Sequence, residues 1–287
     1  MKKLKNFKFN FNSSLWIGFA LAFLYLPLVI MAIFSFNDSK SLSSWSGFSL
    51  RWYQELFVNQ QMIDAIVVSV SIAILSTVIS TVLGTITAIG VSKSKPLLRK
   101  LVLQVNNLPI MNPDIVTGIS LMLLFSFIKV EKGYLTMLLA HVAFCTPFVI
   151  TNVLQKVRQL DVNLADAAMD LGATPFQALT KVIIPQIKPG IISGALLAFT
   201  MSFDDFIISY FVSGNGIENI SIVIYNMSKR TNPSIYALAT IILVVVLLFV
   251  AIGTLVPKFF PKATNKLLSS KTAKIVIAVC LVLSVVW

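Results

Sequence analysis

The sequence predicts an all-α integral membrane protein with six membrane-spanning helices. Of its 287 residues, 57% are hydrophobic and 12% are charged, whereas soluble domains carry about a quarter charged residues. Apolar runs of about 20 residues, the length that crosses a hydrocarbon core as a helix, recur along the chain. Lys and Arg are concentrated in alternate connections between these runs. Composition, run length and charge distribution therefore agree on a multi-pass chain surrounded by lipid.

The apolar runs define the predicted spans 14–36, 63–91, 101–127, 134–155, 191–212 and 234–257. With a cytoplasmic amino terminus, the inside segments hold 17 of the 23 Lys and Arg residues. This positive-inside bias predicts a protein of the cell (cytoplasmic) membrane in that orientation. It also explains the net charge of +12 without nucleic acid, whose phosphates basic proteins often neutralise. Cys145 and Cys280 lie in separate apolar segments, so no disulfide, metal site or cofactor is expected.

Local patterns along the chain predict contacts of its helices with the membrane interface and with one another. The outer loop 37–62 ends in RWYQELF, an amphipathic segment whose apolar face is expected to rest on the membrane interface. In the second span, small residues recur every four positions, at Ser76, Ser80, Gly84 and Ala88. Gly190 and Gly194 form a second pair of this kind. Small side chains let helices approach closely, so both sets predict helix–helix contacts.

The third span is interrupted by the segment LPIMNPDIVTG, which contains Pro109 and Pro113. Proline has no backbone N–H and its ring clashes with the preceding turn, so the helix is expected to bend here. Membrane proteins tolerate such a defect where it faces protein or a cavity. Because Asp114 follows directly, we interpret the bend as a cavity wall, and a kink that serves packing alone is the alternative.

The inner connection 156–190 predicts two short helices joined by a turn. One helical face is shared by Leu164, Ala167, Ala168 and Leu171. Gly172 is expected to end the first helix, Thr174 to cap the second and Pro175 to occupy its first turn. A rigid helix–turn–helix with a small apolar ridge suits docking into a groove of a partner protein.

This connection resembles the EAA signature of ABC import permeases. The resemblance rests on the spacing of three elements: the triplet Asp166-Ala167-Ala168, Gly172, and the segment VIIP that ends at Pro185. Three residues separate the triplet from the glycine, and nine separate the glycine from VIIP. The sequence departs from the signature by Asp for Glu in the triplet, and by Val for Ile and Ile for Leu before the proline. The resemblance implies that these residues couple the chain to a separate ATPase. The second helix is expected to run to the pair of prolines, Pro185 and Pro189, before the fifth span.

The resemblance extends over residues 1–262 to the spermidine/putrescine permeases of the PotC type. It is carried by YLPLVIMAIFSFN, SLRWYQELF, LPIMNPDIVTG, AHVAFCTPFVI and AFTMSFDDFIISYFVSG. It implies a six-helix type I ABC importer permease fold (MetI-like) that forms half of a polyamine path. It also implies a homologous second permease subunit, two ATPase subunits at the cytoplasmic face and a solute-binding protein outside. The chain itself is not expected to be an enzyme, because no glycine precedes a lysine and a Walker A loop therefore cannot form.

Three aspartates inside predicted spans are candidates for the substrate path, because an ionisable residue there is costly and often functional. Asp114, Asp204 and Asp205 each lie roughly 20 Å along a span from its inner end. Carboxylates at one depth suit the ammonium groups of a polycation, and Phe206 and Tyr210 can add cation–π contacts. Neighbouring helical residues diverge by about 100°, so the adjacent pair is not expected to face the path together. The alternative role for one of the two is to cap or pair with a neighbouring helix or the partner subunit.

Three further residues have two interpretations each. Trp52 is placed in the substrate path at its outer mouth, with an interfacial anchor as the alternative. Ser202 is placed in the path as a hydrogen-bonding group, although a serine within a helix often bonds its own backbone. His141 is interpreted as a packing residue, with a proton relay as the alternative.

Two other functions remain open from the sequence. A secondary carrier would use the three aspartates as proton or cation sites, but the inverted repeats typical of such carriers are not detected. An ABC permease for another substrate, such as a ferric complex, is the second alternative. Each alternative leaves one feature of the chain unexplained. A secondary carrier has no use for the inner helix–turn–helix, and a ferric-complex permease has none for the paired aspartates.

Residues 263–287 depart from the six-helix pattern. A basic linker leads into IVIAVCLVLSVVW, whose 13 apolar residues are fewer than the about 20 that span a bilayer. A basic flank before an apolar run resembles a signal anchor, so we expect this segment to begin a seventh span. That span would lead to an extracellular domain, such as a fused solute-binding domain. A short tail lying in the membrane interface is the alternative.

Overall fold

The computed structural model describes residues 11–40, 44–214, 216–229 and 232–259. These ranges are mostly helical, with one isolated β-bridge between Asn37 and Phe48 and no longer strand. The helices are α1 (Phe11–Phe34), α2 (Arg51–Val58), α3 (Gln60–Lys93), α4 (Pro96–Met111), α5 (Asp114–Phe127), α6 (Tyr134–Val157), α7 (Leu164–Asp170), α8 (Pro175–Gln177), α9 (Ile184–Asp204), α10 (Ile207–Val212), α11 (Ile220–Lys229) and α12 (Ser234–Phe259), with a π-helical segment, Ala178–Ile183, between α8 and α9. The predicted all-α class is confirmed.

A helix lies in each of the six predicted spans. Within the described ranges, three helices are long and apolar enough to cross a membrane: Gln60–Lys93, Tyr134–Val157 and Pro175–Asp204. Helices α4 and α5 meet at 106° and add a fourth if they form one broken span. Shorter apolar helices cover Gly18–Phe34 and Ser234–Val245. The predicted segment 263–287 lies outside the described residues.

The chain divides into two compact units, one of residues 1–59 and 226–245 and the other of residues 60–225 and 246–287. In the first unit, α2 forms where the amphipathic RWYQELF segment predicts a helix. Trp52 is only 3% exposed, and its indole N–H donates a hydrogen bond of 2.6 Å to the Asn37 carbonyl. The prediction that Trp52 rests on the membrane interface or lines a path mouth is therefore not supported, because the ring is buried inside its own unit.

The second unit is built on α3, α6 and α9, whose small residues allow close approach. Ser80 Oγ on α3 donates to the Val142 carbonyl of α6 at 3.3 Å. A Cβ placed on Gly84 would lie 2.6 Å from Val149 Cγ1, which is too short for any side chain. On α9, a Cβ on Gly190 would come within 2.7 Å of the Lys156 Cβ. The packing predicted from both small-residue patterns is confirmed.

The bend in the third span occurs at Pro113, as predicted. Helix α4 ends at Met111, Asn112 is extended with ψ of 142°, and α5 starts directly after the proline. A residue before proline is disfavoured in the helical region, which explains the exit of the chain from α4. Pro109 lies inside α4 without ending it. Next to the bend, the buried Asn106 amide donates to Thr151 Oγ1 of α6 at 3.3 Å.

The inner helix–turn–helix has the predicted turn. Helix α7 ends before Gly172, whose φ of +89° is a left-handed conformation that glycine adopts without strain. Thr174 Oγ1 accepts the Gln177 N–H at 3.3 Å, and the Gln177 side chain accepts the Thr174 N–H at 3.1 Å. This reciprocal capping box, with Pro175 as the first helical residue, starts the second helix.

The predicted end of this second helix at Pro185 and Pro189 is wrong. The helix runs without interruption from Pro175 to Asp204. Its turns widen in the π-helical segment Ala178–Ile183, and Ile184 N–H donates to Leu179 O five residues earlier. Because a π turn shifts the hydrogen-bonding register directly before Pro185, the missing proline N–H and its ring are accommodated inside a continuous helix.

Candidate functional site

The centre of the candidate site is a break between α9 and α10. Helix α9 ends at Asp204, Asp205 leaves the helical region with ψ of 124°, and α10 starts at Ile207. The Asp205 carboxylate accepts the N–H groups of Ile208 at 3.2 Å and Ser209 at 2.7 Å. A carboxylate that bonds the first N–H groups of the next helix competes with helix continuation. The prediction of one continuous helix over 191–212 is therefore wrong at this point.

The break gives the adjacent aspartates different environments. Asp205 is 9% exposed, whereas Asp204 and Asp114 are exposed. Helix α5, which begins with Asp114, packs on α10, because a Cβ on Gly118 would lie 3.4 Å from the Ile208 Cα. Both exposed aspartates lie within electrostatic range of Asp205. The structure thus brings the three predicted carboxylates together and leaves two of them open. Within the described ranges, no group of three or more His, Cys, Asp or Glu residues is arranged to hold a metal ion.

Aromatic rings flank the exposed carboxylates. Phe206, in the break, lies with its ring centroid 5.5 Å from that of Tyr210 and 4.6 Å from that of Tyr225. Tyr210 is 48% exposed, so part of its ring is open to a ligand. The sequence predicted Phe206 and Tyr210 but missed Tyr225, which comes from α11 and reaches the cluster only through the fold.

A chain of buried hydrogen bonds lies behind the break. Ser76 Oγ of α3 donates to Ser202 Oγ of α9 at 2.9 Å, and Ser202 Oγ lies 2.6 Å from His141 Nδ1 of α6. His141 Nε2 lies 2.9 Å from Ser209 Oγ and 3.5 Å from Asp205 Oδ2. Ser202 is 2% exposed and His141 is 1% exposed, so both are held inside the protein. This favours the packing interpretation of His141 over a relay, and a structural role for Ser202.

Asn219 completes this arrangement and was missed by the sequence analysis. Its amide donates to the Asp205 carbonyl at 2.7 Å and to Ser209 Oγ at 2.9 Å. Its side-chain oxygen accepts the Ile222 N–H at 2.9 Å, which caps α11. Ser69 Oγ of α3 accepts the Ile220 N–H at 2.8 Å. An asparagine before a helix suggests a cap, but its contact with Asp205 has no signal in the sequence.

Residues 80–260 match the family described as "Binding-protein-dependent transport system inner membrane component". The chain belongs to this family. It is a permease subunit, and a multi-pass protein of the cytoplasmic membrane. The permease is 36% identical over 242 residues to "Spermidine/putrescine transport system permease protein PotC" of Escherichia coli (strain K12), which covers 83% of this chain and 90% of that protein. It is 40% identical over 241 residues to "Putrescine transport system permease protein PotI" of the same organism, with 80% and 84% covered.

Solved structures agree on the fold. The permease resembles a chain of a bacterial ABC transporter that imports the acidic polysaccharide alginate, with a TM-score of 0.66 and 14% identity over 86% of this chain and 95% of that one. A second structure of an alginate transporter, in complex with a pentasaccharide-bound periplasmic protein, has a TM-score of 0.63 and 18% identity, covering 86% and 92%. At such identities the likeness shows the ABC importer permease fold and nothing about substrate.

The permease exposes an apolar surface on its helix–turn–helix. Leu171 is 90% exposed and Phe176 is 73% exposed. The predicted coupling residues lie around them, with Asp166, Ala167, Gly172 and Pro185 exposed and Ala168 half-buried. A cavity of about 540 Å³ lies behind α7 and is lined in part by Arg99 and Leu154. Large exposed apolar side chains on a polar segment mark a surface for a protein partner.

Proposed function

We propose that this permease forms half of the path of an ATP-driven polyamine importer for spermidine or putrescine. The observation that carries the substrate class is that Asp114 and Asp204 are exposed carboxylates within electrostatic range of the same break, which the partly exposed Tyr210 follows in α10. Polyamines are flexible chains with several ammonium groups, which need charge-assisted hydrogen bonds when they lose water. The names of the relatives at 36% and 40% identity support the same class.

The site residues have different roles in this proposal. Asp204 and Asp114 accept ammonium groups, and Tyr210 with Phe206 offers aromatic faces for cation–π contact. Asp205 and Ser202 are buried and already hydrogen-bonded, so they support the path from behind. Trp52, buried in the other unit, is left out of the path.

Transport is coupled to a separate ATPase at the helix–turn–helix. Two ATPase subunits dock on the cytoplasmic face, one of them against Leu171, Phe176 and the turn at Gly172. A homologous second permease supplies the other half of the path, and a solute-binding protein delivers the polyamine outside. The alginate transporter, which is captured with a periplasmic protein, supports such an assembly. We place the amino terminus in the cytoplasm.

Uptake energetics test this function against a secondary carrier. In cells that express the complete transporter, radiolabelled spermidine uptake is expected to persist when an uncoupler collapses the proton gradient and ATP is maintained. It is expected to stop when ATP is depleted and the gradient is kept, because the energy comes from the ATPase. The opposite pattern would support the carrier. If a ferric complex but not putrescine competed with uptake, the permease would belong to a different substrate class.

A further inference from the structure

The buried chain of hydrogen bonds has a consequence for the polyamine path. We infer that His141 is a positioning residue of this path, which acts through Ser209 and Asp205 to hold the α9–α10 break in place. The exposed Asp204 directly precedes the break, and the exposed Tyr210 directly follows Ser209. The orientation of both path-facing side chains is thus set by a histidine that no substrate can touch. The link to polyamines rests on the proposed function, whereas the link to the break does not.

The donors and acceptors of the network define how His141 is bonded. The Ser209 hydroxyl has one hydrogen, and it goes to Asp205 Oδ2 at 2.8 Å, because an ionised carboxylate only accepts. His141 Nε2, 2.9 Å from the same hydroxyl oxygen, must then be the donor. On the other side of the ring, His141 Nδ1 lies 2.6 Å from Ser202 Oγ, which also accepts from Ser76. His141 is therefore bonded through both ring nitrogens, to Ser202 and to Ser209.

The imidazole joins α6 to the helices on both sides of the break. Its Nδ1 side reaches Ser202 on α9, three residues before Asp205, and its Nε2 side reaches Ser209 on α10, four residues after it. His141 itself belongs to α6, which packs on α3 and α9. One rigid ring therefore spans the two helix ends that the break separates, and it fixes the distance between them.

The burial of His141 and Ser209 means that they act on the path by positioning other residues and not by contact with a substrate. His141 is 1% exposed and Ser209 is 0% exposed, so neither meets a solute in the path. A buried side chain that served packing alone would be replaced well by an apolar group of similar volume. At this position an apolar group would take one hydrogen-bond partner from Ser202 and one from Ser209, and loss of a partner is costly for a buried polar group.

The test uses three replacements of His141 that differ in the hydrogen bonds they keep. His141→Gln retains an N–H near the Nε2 position, so it can still bond Ser209. His141→Asn is shorter and retains a polar group near the Nδ1 position only. His141→Leu keeps neither bond. Cys145→Ala, one turn along the same buried face of α6, is the matched control for uptake and part of the cysteine-free background for labelling, because the Cys145 thiol bonds the Ala198 carbonyl and stands outside the network.

The geometric readout is the rate at which a charged thiol reagent modifies a reporter cysteine, Asp204→Cys or Tyr210→Cys, in complete transporters that lack Cys145 and Cys280. With His141→Asn and His141→Leu we expect the rates at both reporters to change roughly tenfold, the size expected when a buried hydrogen bond is lost. His141→Gln is expected to restore them. A cysteine at the exposed Lys95, directly before α4 and outside the α9–α10 break, should react equally in all variants.

The transport readout is spermidine uptake per assembled transporter. Maximal uptake should fall roughly tenfold with His141→Asn, following the lost bond, and should recover with His141→Gln. The apparent KM, set by delivery from outside, should stay unchanged. Equal labelling and uptake for the Asn and Gln variants would overturn the inference, even if His141→Leu failed to assemble. If the wild type imported no polyamine, the proposed function would fall, while the labelling rates would still decide the role of His141.

Discussion

Asp204 and Asp205 are neighbours in the chain but belong to different chemical environments. The Asp205 carboxylate accepts three hydrogen bonds, two from backbone N–H groups and one from the Ser209 hydroxyl. Asp204 is exposed beside the break. A carboxylate whose lone pairs are already used has little to offer a passing ammonium group, whereas an exposed one has its full charge. The hydrogen bonds that a side chain already makes therefore decide whether it can bind an ammonium group or instead stabilises the structure around the site.

Substituting the two aspartates separately should give two different defects. Asp204→Asn keeps the shape and removes the charge, so it is expected to lower spermidine uptake roughly tenfold or more, as for loss of a charged hydrogen bond, with normal assembly. Asp205→Asn turns one accepting oxygen into an NH₂ group that faces N–H donors, which costs about 1–3 kcal/mol of stability. Uptake per assembled transporter and thermal unfolding of the purified complex would measure the two effects.

Asp114→Asn provides the second path variant, because its side chain is exposed at the start of α5. It is expected to reduce uptake without loss of stability. Wild-type uptake by both the Asp114 and the Asp204 variant would contradict a path lined by carboxylates. A fall in stability for Asp204→Asn equal to that for Asp205→Asn would contradict the division between an exposed and a buried aspartate.

At the scale of helices, the sequence predicts breaks with a local cause and misses those with a tertiary cause. The bend at Pro113 was predictable because proline restricts its own backbone and that of the residue before it. The break at Asp205 was not, because its local bonds to Ile208 and Ser209 are supported by His141 and Asn219, which reach Asp205 only through the fold. At Pro185 the sequence predicted a helix end that the structure does not have, because a π-helical segment before it keeps the helix continuous. The sequence identified the carboxylates of the site because they are ionisable residues inside predicted spans. Which of them are exposed can be read only from the fold.

The turn of the helix–turn–helix gives a prediction at this scale. Gly172 has φ of +89° and nothing within 4 Å of the position of a Cβ. Gly172→Leu therefore meets no clash, but its backbone is strained by about 1–2 kcal/mol. Relaxation of the turn should displace α7 from its ATPase. We expect an inserted, assembled protein whose spermidine uptake is uncoupled from ATP hydrolysis.

The control for this turn is Gly90→Leu. Gly90 also has open space around its Cβ position, but it lies in α3 with ordinary helical φ, where leucine is favoured over glycine. Measuring ATP hydrolysed per spermidine imported would compare the two variants directly. Normal coupling by Gly172→Leu at normal expression would show that the left-handed turn has no part in docking.

For the whole molecule, the charge pattern predicts an orientation in the membrane. Seventeen of 23 Lys and Arg residues lie in the segments that the sequence assigns to the cytoplasm, and translocation of such segments is disfavoured. The helix–turn–helix, with its exposed Leu171 and Phe176, belongs to one of these segments. The proposed coupling to an ATPase requires the same orientation, because a coupling surface has to face the compartment that contains ATP.

Single cysteines test this orientation in a protein without its natural cysteines. An impermeant thiol reagent added outside intact cells, with the outer membrane permeabilised where one exists, should modify a cysteine at Phe57 or at Lys132 in the assigned outer loops. It should not modify a cysteine at Lys95 or at Leu171 until the inner membrane is opened. Once it is opened, the ATPase subunit should protect Leu171→Cys but not Lys95→Cys, because only the first lies on the exposed apolar surface. Modification of Leu171→Cys from outside intact cells would reverse the orientation and would remove the helix–turn–helix from any contact with a cytoplasmic ATPase.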